Sequence, residues 1–200
     1  MNVVSSKALN FSPVEVFSEP FPYFLSPEAF SDDVSLDILH WLEKDAPWKL
    51  VETNFYEQYE FSMADARLPD RLSFLREDFF LDDLKSNIEG LFQVCLVPRI
   101  DLTAHKLIPG QRIRIHNDFI SGQETHRLLL QFNHGWNEND GGFLLFFNSA
   151  DSADIHRIFA PTHNSAIGFA ITPHSHHAVS LIRGGERYTL VYSFYSNEEK

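Results

Sequence analysis

The residues of this 200-residue chain that could do chemistry together are a histidine and a carboxylate one residue apart, His116-Asn117-Asp118, and a second histidine, His177, placed 59 positions after Asp118. Two imidazoles and one carboxylate on one face of a metal ion leave three coordination positions open, which suits Fe(II) taking a chelating cosubstrate and dioxygen together. Zinc is more usually given a tetrahedral set. Ten positions past His177 stands Arg187, and Thr189 follows it. On a strand these two share one face, alternating with Tyr188 and Leu190. A guanidinium fork and a hydroxyl can then bind the distal carboxylate of a small diacid through charge-assisted, paired hydrogen bonds. Each part has a plainer alternative. A His-x-Asp triplet arises by chance in a chain with ten histidines, and Arg187 could simply pair with Glu186 at the surface.

The elements that must position these residues read as short strands from Val97 onward. Candidates are 98–107, 111–118, 127–133, 143–147, 155–160, 165–171, 177–182 and 187–195, separated by Pro109-Gly110, Asp140-Gly141-Gly142, Pro161, Pro173 and Gly184-Gly185. Eight short strands at this spacing predict two facing sheets, a jelly roll. In the strand 111–118, period two puts His116 and Asp118 on one face with Arg112 and Arg114, and turns Ile113 and Ile115 the other way. His177 shares its parity with Val179 and Leu181, which makes it, rather than His176, the candidate ligand. Ahead of this core, residues 11–23 read as an extended, proline-bearing lead-in. Ser26-Pro27-Glu28 reads as the start of a helix reaching about Glu43. Residues 48–61 read as one or two aromatic strands and 82–92 as a second helix. The fold class expected is mainly β, a double-stranded β-helix (jelly roll) with supporting N-terminal α-helices. Residues 1–96 form a helical and strand support in the same domain as the core, 97–200.

Composition narrows the partners. A formal net charge of -12 repels phosphate backbones and argues against nucleic acid and anionic membranes, while a basic peptide is less disfavoured. No apolar run approaches the length of a membrane span, and the N-terminal MNVVSSKALNF has no basic segment followed by an apolar core, so the expected location is cytoplasmic. The single cysteine, Cys95, lies in an apolar run and reads as a small buried hydrophobe.

From about His105 to Tyr195 the chain resembles the Fe(II)/2-oxoglutarate-dependent dioxygenases, specifically the prolyl 4-hydroxylase-like group. Gly110 precedes His116-Asn-Asp118, then come the apolar strand from Arg127 to Asn133, Asn133-x-x-Trp136 and Asp140-Gly141-Gly142. His177-Ala-Val179 and Gly185-Glu-Arg187-Tyr-Thr189 close the series, and Phe21-Pro22-Tyr23-Phe24-Leu25-Ser26-Pro27 is similar to the lead-in of many bacterial members. The resemblance implies iron ligands at His116, Asp118 and His177. It implies 2-oxoglutarate held at Arg187, with Thr189 assisting and Gln131 standing where members often carry a tyrosine. Arg127 falls closer to Asn133 than is usual in the family. The activity implied is hydroxylation of a C–H bond of an amino-acid residue, free or within a peptide or protein, with release of succinate and CO2, dioxygen as cosubstrate and ascorbate as accessory reductant. Oxidation of another small metabolite is the alternative among enzymes. A non-catalytic cupin-like metal-binding or sensor domain is the alternative outside them, although Arg187-x-Thr189 has no reason to exist there.

Overall fold

Along the last strand, β12 (Arg187–Ser196), Tyr188, Leu190, Tyr192 and Phe194 are buried on one side, while Arg187, Thr189 and Val191 are buried on the other. A strand buried on both faces must lie between two layers, and that sandwiching organises the molecule. The computed structural model describes residues 9–196. In chain order the elements are β1 (Glu15–Phe17), β2 (Tyr23–Ser26), α1 (Asp32–Lys44), β3 (Lys49–Glu52), β4 (Glu57–Ser62), a 3-10 helix (Asp70–Arg76) and α2 (Asp78–Phe92). There follow β5 (Leu96–Leu107), β6 (Ile113–His116), β7 (His126–Phe132), a second 3-10 helix (Glu138–Asp140), β8 (Leu144–Phe147), β9 (Ile155–Phe159), β10 (Ala166–Ala170), β11 (His177–Val179) and β12. The strands form an eight-stranded sheet, β1-β2-β10-β7-β12-β5-β4-β3, and a four-stranded sheet, β6-β11-β8-β9, all pairs antiparallel.

One apolar cluster joins the outer face of the large sheet to the helices. Leu128, Leu130 and Phe132 of β7 meet Phe30, Ile38 and Phe80 there. A second cluster fills the space between the sheets, where Leu129 and Val191 meet Phe146, Phe169 and Val179. This is the expected jelly roll, mainly β, with helices supporting one sheet. Among the described residues no helix is long and apolar enough to cross a membrane.

Gly168 of β10 sits where Phe24 of β2 crosses the sheet, and a Cβ there would overlap the ring of that fully buried residue. We expect Gly168→Ala to destabilise the fold by about 1–3 kcal/mol, the usual cost of overpacking. Urea unfolding measures it, and an unchanged midpoint would show that the ring simply moves aside.

Three local expectations fail for physical reasons. Helix α1 starts at Asp32 and not at Ser26-Pro27, because Ser26 is the last residue of β2 and pairs with Ala166. Cys95 is exposed, because Gln93 ends α2 in a left-handed turn and the chain is not yet in β5. The strand expected over 111–118 stops at His116, with Asp118 beyond it at φ 54°.

Candidate active site

The two sheets enclose a cavity of about 280 Å³ whose wall includes His116, Asp118, His177, Arg187 and Thr189. His116 ends β6 and is the cross-strand partner of His177, which opens β11. From that pair to the next, Ile113 with Val179, three residues of β6 advance against two of β11. This register shift is a β-bulge, a feature that re-aims side chains next to functional sites. It reverses the parity expected of β6: Ile113 and His116 both line the cavity, whereas Arg112 and Arg114 are exposed. On the other side His177 and Val179 face inward as expected, but Leu181 is exposed and Ile182 takes the buried position.

His116, Asp118 and His177 bring one ligand atom each to within 4.8 Å of one another. The Nε2 atoms of His116 and His177 lie 3.4 and 3.1 Å from the Asp118 carboxylate, and the ring centroids are 4.2 Å apart. Ligands about 2.1 Å from a shared ion and at right angles to each other would be about 3 Å apart, so the spacing suits one ion. The protons point the same way. Nδ1 of His116 lies 2.8 Å from the Arg114 carbonyl, and Nδ1 of His177 lies 2.8 Å from the Ser175 carbonyl. A carbonyl only accepts, so each Nδ1 carries the proton and a neutral ring leaves Nε2 bare. Burial pushes the His177 pKa down, which keeps that ring neutral. Burial would raise the Asp118 carboxyl, but its ion pair with the Arg127 guanidinium works against this and keeps it below the usual carboxylate range. Bare nitrogens facing carboxylate oxygens at these distances repel unless a cation stands among them. The donor set therefore fits a divalent metal, with backbone carbonyls fixing the rings as they do around bound metals.

Arg187 is 4% exposed, donates Nη1 to the Thr189 hydroxyl at 3.0 Å, and leaves Nε without a partner. Burial lowers its pKa to about 10, so it stays charged at neutral pH. The surface pairing with Glu186 does not form: Glu186 engages the Tyr188 hydroxyl and Lys106 instead. A buried cation without a counter-ion is costly unless a ligand supplies one. The Thr189 hydroxyl donates to Oε1 of Gln131 at 3.0 Å, and the buried Gln131 Nε2 has no partner. Arg187 and Gln131 thus both hold unused donors, the pattern expected around an anion.

Several residues around the cavity carry no motif and escaped the sequence reading. His105 stands beside Thr189 in the sheet, its pKa pushed down to about 3 by burial and by Arg127 and Arg187, so it is a neutral ring. Tyr56 and Glu60 come from the β3–β4 side, and burial and Glu60 raise the Tyr56 pKa. Only the unusual spacing of Arg127 gave warning: it faces inward and is ion-paired to both Asp118 and Glu124.

Residues 102–194 match the family model of the 2OG-Fe(II) oxygenase superfamily. The matched residues include His116, Asp118, His177, Arg187 and Thr189. Its fold is similar to that of a Pseudomonas putida prolyl-4-hydroxylase, with TM-score 0.64 and 18% identity over 82% of this chain and 85% of that one. It is also similar to a Trichoplax adhaerens prolyl hydroxylase solved in complex with a hypoxia inducible factor peptide fragment, with TM-score 0.65 and 14% identity over 82% and 77%. A third similar structure is a viral collagen prolyl hydroxylase from Paramecium Bursaria Chlorella virus-1 in its 2OG complex, with TM-score 0.56 and 13% identity over 98% and 99%. No curated protein matches the chain.

Proposed function

We propose that this protein is an Fe(II)- and 2-oxoglutarate-dependent dioxygenase that hydroxylates a C–H bond of an amino-acid residue, free or within a peptide or protein. The observation that carries the reading is one cavity holding both a three-donor metal cluster and a buried guanidinium with no counter-ion among the described residues. His116, Asp118 and His177 would hold the metal, and Arg187, Thr189 and Gln131 would hold the cosubstrate. Bound there, iron with 2-oxoglutarate and dioxygen supplies oxidative decarboxylation to succinate and CO2, coupled to oxidation of a C–H bond. The chain's own part is geometric. Arg187 anchors the distal carboxylate and so sets the direction in which the diacid lies. His116 and His177 would present Nε2 to the metal, with each Nδ1 donating to a backbone carbonyl. Phe169, packed 4.9 Å from the His177 ring, and Val179 and Leu144 exclude water from the centre. Residues 97–200 would be the oxygenase core and 1–96 its support, and the hydrogen-bonding of β2 and β4 into the large sheet favours placing both in one domain. The substrate class is supported by the peptide bound to the Trichoplax adhaerens neighbour.

Incubating the protein with Fe(II), 2-oxoglutarate, air and candidate amino acids or peptides tests the reading: succinate should form, and the substrate should gain one oxygen in mass spectra. No succinate under any of these conditions would favour the cupin-like alternative. Because Asp118 supplies a carboxylate, the product should be an alcohol even with chloride present, and Asp118→Ala should lose both iron affinity and activity. Loss of two hydrogens would point to desaturation or cyclisation. A chlorine isotope pattern from the unmodified protein would overturn the assignment of Asp118.

A further inference from the structure

Asp118 is the one member of the cluster that no strand holds. His116 and His177 are paired across β6 and β11, and backbone carbonyls fix their rings. Asp118 lies past the end of β6 in a left-handed turn, φ 54°, a conformation that Asp tolerates but that a sheet ladder does not enforce. Its side chain would be free to rotate were it not for a residue from the middle of the large sheet. Arg127 of β7 donates Nη1 to Oδ2 of Asp118 and Nη2 to Oε1 of Glu124. The three side chains are only 16–18% exposed. Arg127 is itself anchored, standing opposite Phe169 of β10 and Ser193 of β12. Glu124 is anchored as well, because the next residue, Thr125, donates its amide to the Phe194 carbonyl and accepts from the Ile171 amide, each at 2.8 Å.

We propose that Arg127, set in place by Glu124, is a positioning residue that holds the Asp118 carboxylate turned toward His116 and His177 before a metal arrives. The inference rests on the metal reading of Asp118 given above. The planar guanidinium can serve two acceptors in fixed directions, which a lysine cannot do. The charge balance is equally suited to the task. A lone arginine beside a metal site would repel the ion, but Glu124 cancels that charge, so the pair orients the ligand without opposing the cation.

Cobalt(II) titration of the full chain, followed by visible absorption, tests this without turnover, and the melting temperature of the metal-free protein controls for folding. The native chain should bind Co(II). Arg127→Gln should raise its Kd by about tenfold or more, the usual effect of removing a partner that orients a metal ligand, and should shift the visible band. Arg127→Lys should recover part of the affinity. Glu124→Gln should weaken binding because Arg127 is then uncompensated. In a Glu124→Gln background, Arg127→Gln should add about twofold or less, since residues acting through one another are not additive. Losses that simply multiply in the double variant would show that Arg127 and Glu124 act apart and overturn the inference. So would an Arg127→Gln protein with native affinity and spectrum. If Arg127→Gln does not fold, Glu124→Gln carries the comparison, and native affinity there overturns the inference. A native chain that takes up no Co(II) overturns the metal reading and the inference together, whereas native uptake matched by Arg127→Gln overturns the inference alone.

Discussion

His177→Ala is expected to abolish iron-dependent turnover, and His176→Ala to leave most of it. The two residues are neighbours in sequence but lie in different environments. His177 is 4% exposed, lines the cavity and places Nε2 3.1 Å from Asp118. His176 turns the other way, its Nδ1 3.2 Å from the exposed His174 carbonyl. Losing even a side chain that only orients a metal ligand costs about 10- to 100-fold in affinity or activity, so loss of a ligand should exceed about 100-fold. Initial rates of succinate release, measured with iron titrated upward, separate weaker binding from lost chemistry. Full activity in His177→Ala, or its loss in His176→Ala alone, would sink the assignment.

Arg187→Met should raise the 2-oxoglutarate concentration needed for half-maximal succinate release by at least about thirtyfold. The estimate comes from the roughly 2–5 kcal/mol lost when one side of a desolvated, hydrogen-bonded charge pair is removed, at about 1.4 kcal/mol per factor of ten. Methionine keeps most of the volume, and the buried guanidinium has no counter-ion among the described residues. Stability without cosubstrate should therefore hold or rise, as when buried charges give way to apolar groups. A structural arginine would behave oppositely, with lower melting temperature and an unchanged 2-oxoglutarate requirement. That outcome would remove the main argument separating this chain from a cupin-like domain. Arg187→Lys, which keeps the charge but not the fork, should fall between the two.

Much of this was legible in the sequence because it is local. Period-two alternation with turn residues located all eight strands between Leu96 and Ser196. It also placed Arg187 and Thr189 on the face opposite Tyr188 and Leu190, because β12 runs unbroken between two strands that enforce its pleat over that stretch. Histidine parity on β11 was readable for the same reason. Where the ladder breaks, so did the reading. The helix expected at Ser26 was displaced because pairing to Ala166 took that residue into the sheet. Proline and serine signal a helix start only when no distant strand competes for them.

The sequence by itself determined which residue types stand where a metal and a diacid could be bound, since those depend on side-chain chemistry and order along the chain. It also determined the strand count. Tertiary structure alone decided how they meet. His116 reaches the cavity through a bulge that reverses the parity of β6, and Asp118 reaches it from a left-handed turn and not from the same strand face. Arg127 and Glu124 come to Asp118 from a neighbouring strand and loop. Bulges, left-handed turns and ion pairs between elements arise from the register of distant strands, and period-two patterning along one segment carries no record of that register.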